Sequence, residues 1–138
     1  ERRYVTVKIR EDAAYIFGIL DADQTKPLYV CEGPLDSLFI DNAIAVGGSS
    51  LSKIKSLKDK FDKIIYVYDN QPNNKEICKL MERQIAEGCN LVIWPSNIRW
   101  KDINDMVWKG KIDVQSLVNE CVYSGIKAKV MFSQWRKC

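Results

Sequence analysis

LYVCEGPLDSLFIDNAIAVGG, running from Leu28 to Gly48, decides how the chain folds. Leu28, Tyr29, Val30 and Cys31 have strand character and run straight into Glu32; Gly33 and Pro34 then break the strand and open a helix that carries Asp36. In an open parallel α/β sheet the ligand crevice lies beyond the carboxyl ends of the strands, so an acid placed there faces a site and not the core. Glu32 is therefore the first candidate for chemistry. Leu35, Leu38 and Phe39 fall on one helical face and are expected to pack on the sheet. Ala43 to Val46 reads as the next strand, closed by Gly47 and Gly48, where the backbone can take positive φ or approach a ligand closely.

A second strand ends in the same way. KIIYVYDN, Lys63 to Asn70, is a nearly unbroken apolar run before Asp69, which reads as a strand buried on both faces. If the two strands are parallel neighbours, Glu32 and Asp69 approach each other, and like charges about 5 Å apart repel by roughly 3 kcal/mol at an effective dielectric of about 20. A cation would offset that cost. Carboxylate ligands favour Mg²⁺ or Mn²⁺, and with no His and no paired Cys spacing a structural zinc site is not expected.

Between these strands, Ser50 is a fair N-cap, and Leu51, Ile54, Leu57 and Phe61 mark an amphipathic helix with Lys53, Lys55, Lys58 and Lys60 outward. Beyond Asp69, Asn73 or Asn74 can cap a long helix with Ile77, Leu80, Met81 and Ile85 buried and Gly88 as its stop. Leu91 to Trp94 is a further strand, ended by Pro95. KDINDM, Lys101 to Met106, places Asp102 and Asp105 three apart on one helical face. Asp102 reads as an N-cap and Asp105 as a dipole-favoured third position, or both contribute to the metal site. Val114 to Tyr123 suits a last helix, and KAKVMF, Lys127 to Phe132, a closing strand or extended tail. The alternation of strands and helices implies an α/β fold with right-handed crossovers, a mainly parallel central sheet and helices on both faces.

The division expected is a lead-in strand (Tyr4 to Ile9) and linker over residues 1–26, a core over 27–110, and a C-terminal helix with a basic tail over 111–138. With 138 residues, 46% of them hydrophobic, the chain can bury one core, and no apolar run approaches the ~20 residues of a membrane span. It begins at Glu1 with neither Met nor a signal-peptide pattern and reads as a piece of a longer soluble protein. The five cysteines are odd in number and scattered, which fits a reducing cytoplasmic setting, and Cys31 reads as a small core residue. A net charge of +3 permits nucleic-acid binding without demanding it. Lys53, Lys55, Lys58 and Lys60, and separately Lys127, Lys129, Arg136 and Lys137, read either as solvated charges or as a phosphate track.

EGPLD (Glu32 to Asp36), YDN ending at Asp69 and Asn70, and KDIND (Lys101 to Asp105) together resemble the Toprim domain, a compact α/β metal site shared by bacterial-type primases, topoisomerases and some nucleases. More closely, EGPLDSLFIDNAIAVGG, YVYDNQPNNKE, KDINDM and the tail SGIKAKVMFSQW are similar to the catalytic region of the T-even-type bacteriophage DNA primases. The resemblance implies that Glu32 is the signature glutamate, a metal-linked general acid or base, and that Asp69 is the first acid of a DxD motif. Gln71 stands where the second acid belongs, so Asp36, Asp102, Asp105, water or the nucleotide would complete the Mg²⁺ or Mn²⁺ site. The implied activity is RNA primer synthesis on single-stranded DNA from ribonucleoside triphosphates, with Lys101 neutralising phosphate charge or standing as a solvated helix-start lysine. The family also implies an upstream zinc module, a hexameric replicative helicase as partner, and the replisome in the host cytoplasm as the place of work. A Toprim nuclease or topoisomerase fragment and a purely binding module are the competing readings. A phosphoacceptor receiver domain is disfavoured, because EGPLD is not its acidic pair and its hydroxyl residue is not evident near Trp94 to Ser96.

Overall fold

The computed structural model describes residues 16–46, 54 and 57–138. One six-stranded sheet is built from β1 (Ile16–Phe17), β2 (Leu28–Cys31), β3 (Ala43–Val46), β4 (Ile64–Val67), β5 (Asn90–Val92) and β6 (Val122–Tyr123), in the spatial order β1-β3-β2-β4-β5-β6. The four inner strands are parallel, and both edge strands are antiparallel to their neighbours. The sheet is therefore mixed, and the expected parallel order holds for its centre. Two-residue reversed edges occupy the outward hydrogen-bonding groups of β3 and β5 without the long crossover that another parallel strand would need. The inner strands are apolar throughout because both faces are covered: Leu28 to Cys31 and Ile64 to Val67 are all buried.

Among the described residues five α-helices flank the sheet: α1 (Pro34–Ser37), α2 (Lys75–Ala86), α3 (Ile103–Trp108), α4 (Val114–Glu120) and α5 (Gly125–Trp135). Two tyrosines show which face each group takes. Tyr29 on β2 is level with Ile65 on β4, and Tyr68 lies three residues beyond Ile65, so the two rings project from opposite faces. The Tyr29 hydroxyl donates to Asn119 on α4 at 2.8 Å, and the Tyr68 hydroxyl donates to Gln84 on α2 at 2.7 Å. With α1 against α3, α3 against α4, and α2 against α5, the helices divide between the two faces as the crossovers require.

α2 forms where its cap and periodicity predict. The Asn74 side chain accepts from the N–H groups of Glu76 and Ile77, the buried positions are Ile77, Cys78, Met81 and Ile85, and Gly88 at φ 84° lets the chain turn away. Elsewhere the elements differ from expectation. KAKVMF lies inside α5: six residues of alternation fit either period, but Ala128, Phe132 and Trp135 are buried at helical spacing while Val130 is 50% exposed. The expected last helix ends at Glu120, and Val122–Tyr123 instead pair with β5. β5 itself stops at Val92, although Ile93 and Trp94 continue buried. α1 has a single turn, too short to lay an apolar stripe on the sheet, so Leu35 and Leu38 are 44% and 66% exposed and Ser37 and Ile40 turn inward.

Tyr4 to Ile9, Gly47, Gly48, Ser50, Leu51, Lys53 and Lys55 lie outside the described residues; Ile54, Leu57 and Phe61 of the predicted amphipathic stripe are buried. Cys31 is a core thiol, and the fold brings the free thiols of Cys78 and Cys138 to 3.1 Å, a proximity their spacing in the sequence does not announce. Among the described residues no helix is long and apolar enough to cross a membrane.

Candidate active site

The register of the two central strands positions the principal acids. Cys31 pairs with Val67, so Glu32 and Asp69 emerge side by side at the carboxyl ends of β2 and β4. A Glu32 carboxylate oxygen accepts the Asp69 backbone N–H at 3.1 Å. Asp36, one turn into α1, accepts the N–H of Asn104 at 2.9 Å and so ties the EGPLD turn to the start of α3. A Cβ at position 33 would lie 3.1 Å from the other Asp36 carboxylate oxygen, so glycine there leaves that oxygen uncrowded. Asp102 is the N-cap of α3, accepting from the Asp105 N–H at 2.8 Å, and Asp105 forms an ion pair with Lys109 at 3.6 Å.

These acids form one electrostatic unit. Burial, then the charges of Glu32, Asp36 and Asp102, push the Asp69 carboxyl up from 3.8 to about 7, against the opposing pull of Lys101. Burial also raises Asp36, with Asp102, Glu32 and Asp105 adding to it and the Asn104 N–H opposing. Burial first, and the same acids after it, push the Cys31 thiol far above its ordinary value, which removes it as a nucleophile.

No ready-made cage of three or more Asp, Glu, Cys or His side chains exists among the described residues. The donor set nevertheless fits a hard divalent cation. Magnesium commonly uses one or two carboxylates and completes its shell with water and substrate phosphates, so it does not need an all-protein cage. Glu32, Asp36 and Asp102 each commit one oxygen to a backbone N–H and keep the other, and the mutual repulsion that raises Asp69 is what a bound cation would relieve.

Next to Asp69, a cleft of about 690 Å³ opens between the start of α2, the loop after β5 and the end of α5. Lys101 lines it, together with Lys137 of the C-terminal basic cluster and Arg99, whose part in a site the sequence did not suggest. Its wall is fixed by Asn70. The Asn70 amide donates to the carbonyls of Ile98 at 2.9 Å and Trp100 at 3.1 Å, its carbonyl accepts from the Trp135 indole at 2.8 Å, and its backbone N–H donates to the Lys101 carbonyl at 2.6 Å. The other lysines stand apart. Lys58 lies by the opening lined by Ile64 and Asn90, at the amino ends of β4 and β5 and thus at the opposite end of the sheet. Lys127 sits over the Tyr123 ring at 5.6 Å, and Lys129 borders α2 beside Glu82. Two residues apart on a helix, Lys127 and Lys129 point about 200° from each other, where a strand would have aligned them.

Fold and site together define an α/β domain with an acidic cluster at the carboxyl end of its parallel strands and a cationic cleft beside it. The chain is similar to the DNA primase of Enterobacteria phage T4, at 30% identity over 141 residues. That likeness takes in 99% of this chain and 40% of the phage protein. It supports a primase-related protein. No family model matches the chain.

Proposed function

We propose that this chain is the Toprim-like catalytic part of a DNA primase, which makes short RNA primers on single-stranded DNA during phage DNA replication. The observation that carries the reading is the pairing of Glu32 and Asp69 at adjacent parallel strand ends, in a chain similar along its whole length to a DNA primase. The reaction joins the 3′-hydroxyl oxygen of one nucleotide to the α-phosphorus of the next, with loss of pyrophosphate. Glu32 and Asp69 would hold Mg²⁺ or Mn²⁺, with Asp36 and Asp102 contributing charge behind them. When bound, the metal supplies a lowered hydroxyl pKa and neutralises charge on the triphosphate. Glu32 would take the hydroxyl proton, Lys101 would offset phosphate charge, and the site would supply positioning. Template DNA and ribonucleoside triphosphates are the substrates in this reading, a hexameric helicase is the partner, and the replisome in the host cytoplasm is the location.

Primer synthesis by the full-length protein is the test. Glu32→Gln and Asp69→Asn should each lower it by about 100-fold or more with the melting temperature retained or raised, and calorimetry should show weakened Mn²⁺ binding. Full activity in both variants refutes the reading. Gln71 favours one alternative, a module that binds nucleic acid without polymerising, which predicts no primer products from the wild type and DNA binding indifferent to both substitutions.

A further inference from the structure

The cleft beside Asp69 is not absorbed by the carboxylate chemistry. Arg99, Lys101 and Lys137 line it, no Asp or Glu does, and none of the three cations forms an ion pair among the described residues. Such a surface is built for an anion. Its volume of about 690 Å³ lies within the range of small-ligand pockets, about 300 to 1,000 Å³, and suits a nucleotide better than a continuous strand. Gln71, Asn73 and Gln134 add amide groups that both donate and accept hydrogen bonds.

The backbone that carries these cations is anchored, and the Arg99 side chain also has a partner. The Arg99 guanidinium lies 4.8 Å from the centre of the Trp100 ring, and that ring packs so closely on Gly110 that a Cβ there would fall 2.9 Å from it. The Trp100 carbonyl is pinned by Asn70, and the backbone N–H of Lys137 donates to the Pro72 carbonyl at 2.9 Å. A backbone fixed before binding removes part of the entropic cost of capturing a ligand. Asn70 and Lys101 both line the cleft, so its mouth adjoins the acid cluster at Asp69.

We infer that this cleft is the triphosphate subsite for a ribonucleoside triphosphate, with Arg99 and Lys137 as binding residues beside Lys101. The nucleotide as occupant rests on the primase reading; the preference for a compact polyphosphate rests on the cleft alone. The phosphate chain lies along the three cations, and its α-phosphate end points toward Glu32 and Asp69.

The test uses the 138-residue chain in EDTA buffer, titrated calorimetrically with ATP, inorganic tripolyphosphate, adenosine and an oligo-dT strand. ATP and tripolyphosphate should bind and adenosine should not. Arg99→Gln combined with Lys137→Gln should weaken both polyphosphates by about tenfold or more, since hydrogen bonds to charged groups carry that order of affinity. Both side chains are exposed, so the fold should persist; if the double variant melts early, Lys137→Glu alone should still weaken tripolyphosphate binding. Glu32→Gln should bind tripolyphosphate at least as well as the wild type. Unchanged polyphosphate affinity in the cleft variants overturns the inference, as does a loss confined to oligo-dT. Primer synthesis unaffected by Glu32→Gln would remove the primase reading and leave the binding result standing, so the two failures are separable.

Discussion

Asp69 makes stability in metal-free buffer depend on pH in a direction opposite to that of an ordinary salt-bridged acid. Its carboxyl rises from 3.8 to about 7 through burial and the charges of Glu32, Asp36 and Asp102, with Lys101 opposing. Below the lower value, folded and unfolded chains both hold the proton. Between the two values the folded chain holds more of it than the unfolded chain, so stability falls as pH rises, and the loss is complete above about pH 7. The full shift corresponds to at most about 4 kcal/mol, reduced to about 2 by solvent screening of a carboxylate that is only partly buried. Urea unfolding at about pH 4.5 and about pH 7.5 should therefore show the wild type losing about 2 kcal/mol more than Asp69→Asn across that interval. The variant keeps a smaller slope from Asp36, which is raised for the same reasons. Added Mg²⁺ at the higher pH should stabilise the wild type and leave Asp69→Asn nearly unchanged. Parallel pH profiles for the two proteins would refute both the burial of Asp69 and its coupling to the acids around it.

Two further outcomes separate architecture from chemistry. Asn70→Ala should cost about 2 to 4 kcal/mol in chemical unfolding, because the Ile98 and Trp100 carbonyls and the Trp135 indole lose their partner together; the exposed Asn73→Ala should cost little. Asp102→Ala should lower stability by about 0.5 to 2 kcal/mol through loss of the α3 cap. Asp105→Asn, which gives up only a partly exposed pair with Lys109, should change stability by less than about 1 kcal/mol, so a large fall in primer synthesis would assign it to the reaction and unchanged synthesis would leave it as helix charge.

How much of this was legible depends on the range over which each feature is determined. Glu32 and Asp69 could be read because a buried strand announces itself in four consecutive apolar residues and its end is marked by the first acid. Their adjacency follows from strand order, which crossover rules constrain but do not fix. KAKVMF reads as a strand from sequence because six residues of alternation satisfy two periods at once, and only Phe132 and Trp135 together select the helix. The consequence is functional as well as structural, since Lys127 and Lys129 cease to be neighbours on one face. The bracing role of Asn70 is hidden from the sequence for another reason. An asparagine after a strand looks like a turn residue, and its side-chain partners lie 28, 30 and 65 residues away. Arg99 acquires meaning, and Lys137 parts from the other C-terminal lysines, only when the end of α5 closes one wall of the cleft.

The acids at the site are structural members as well as candidate ligands, which bears on how they must be probed. Glu32 receives an N–H from the end of β4, Asp36 one from the first turn of α3, and Asp102 one from Asp105. Each bond fixes one oxygen and thereby aims the other. Removing the side chain outright breaks the bond and releases the strand end or helix that it holds, so alanine conflates misplacement with lost charge. The amide forms Glu32→Gln, Asp36→Asn and Asp102→Asn keep a carbonyl oxygen to accept the same N–H while removing the negative charge. They also relieve the repulsion that raises Asp69, so loss of activity in an amide variant with equal or greater metal-free stability would identify charge at the site, and not scaffold, as what was lost.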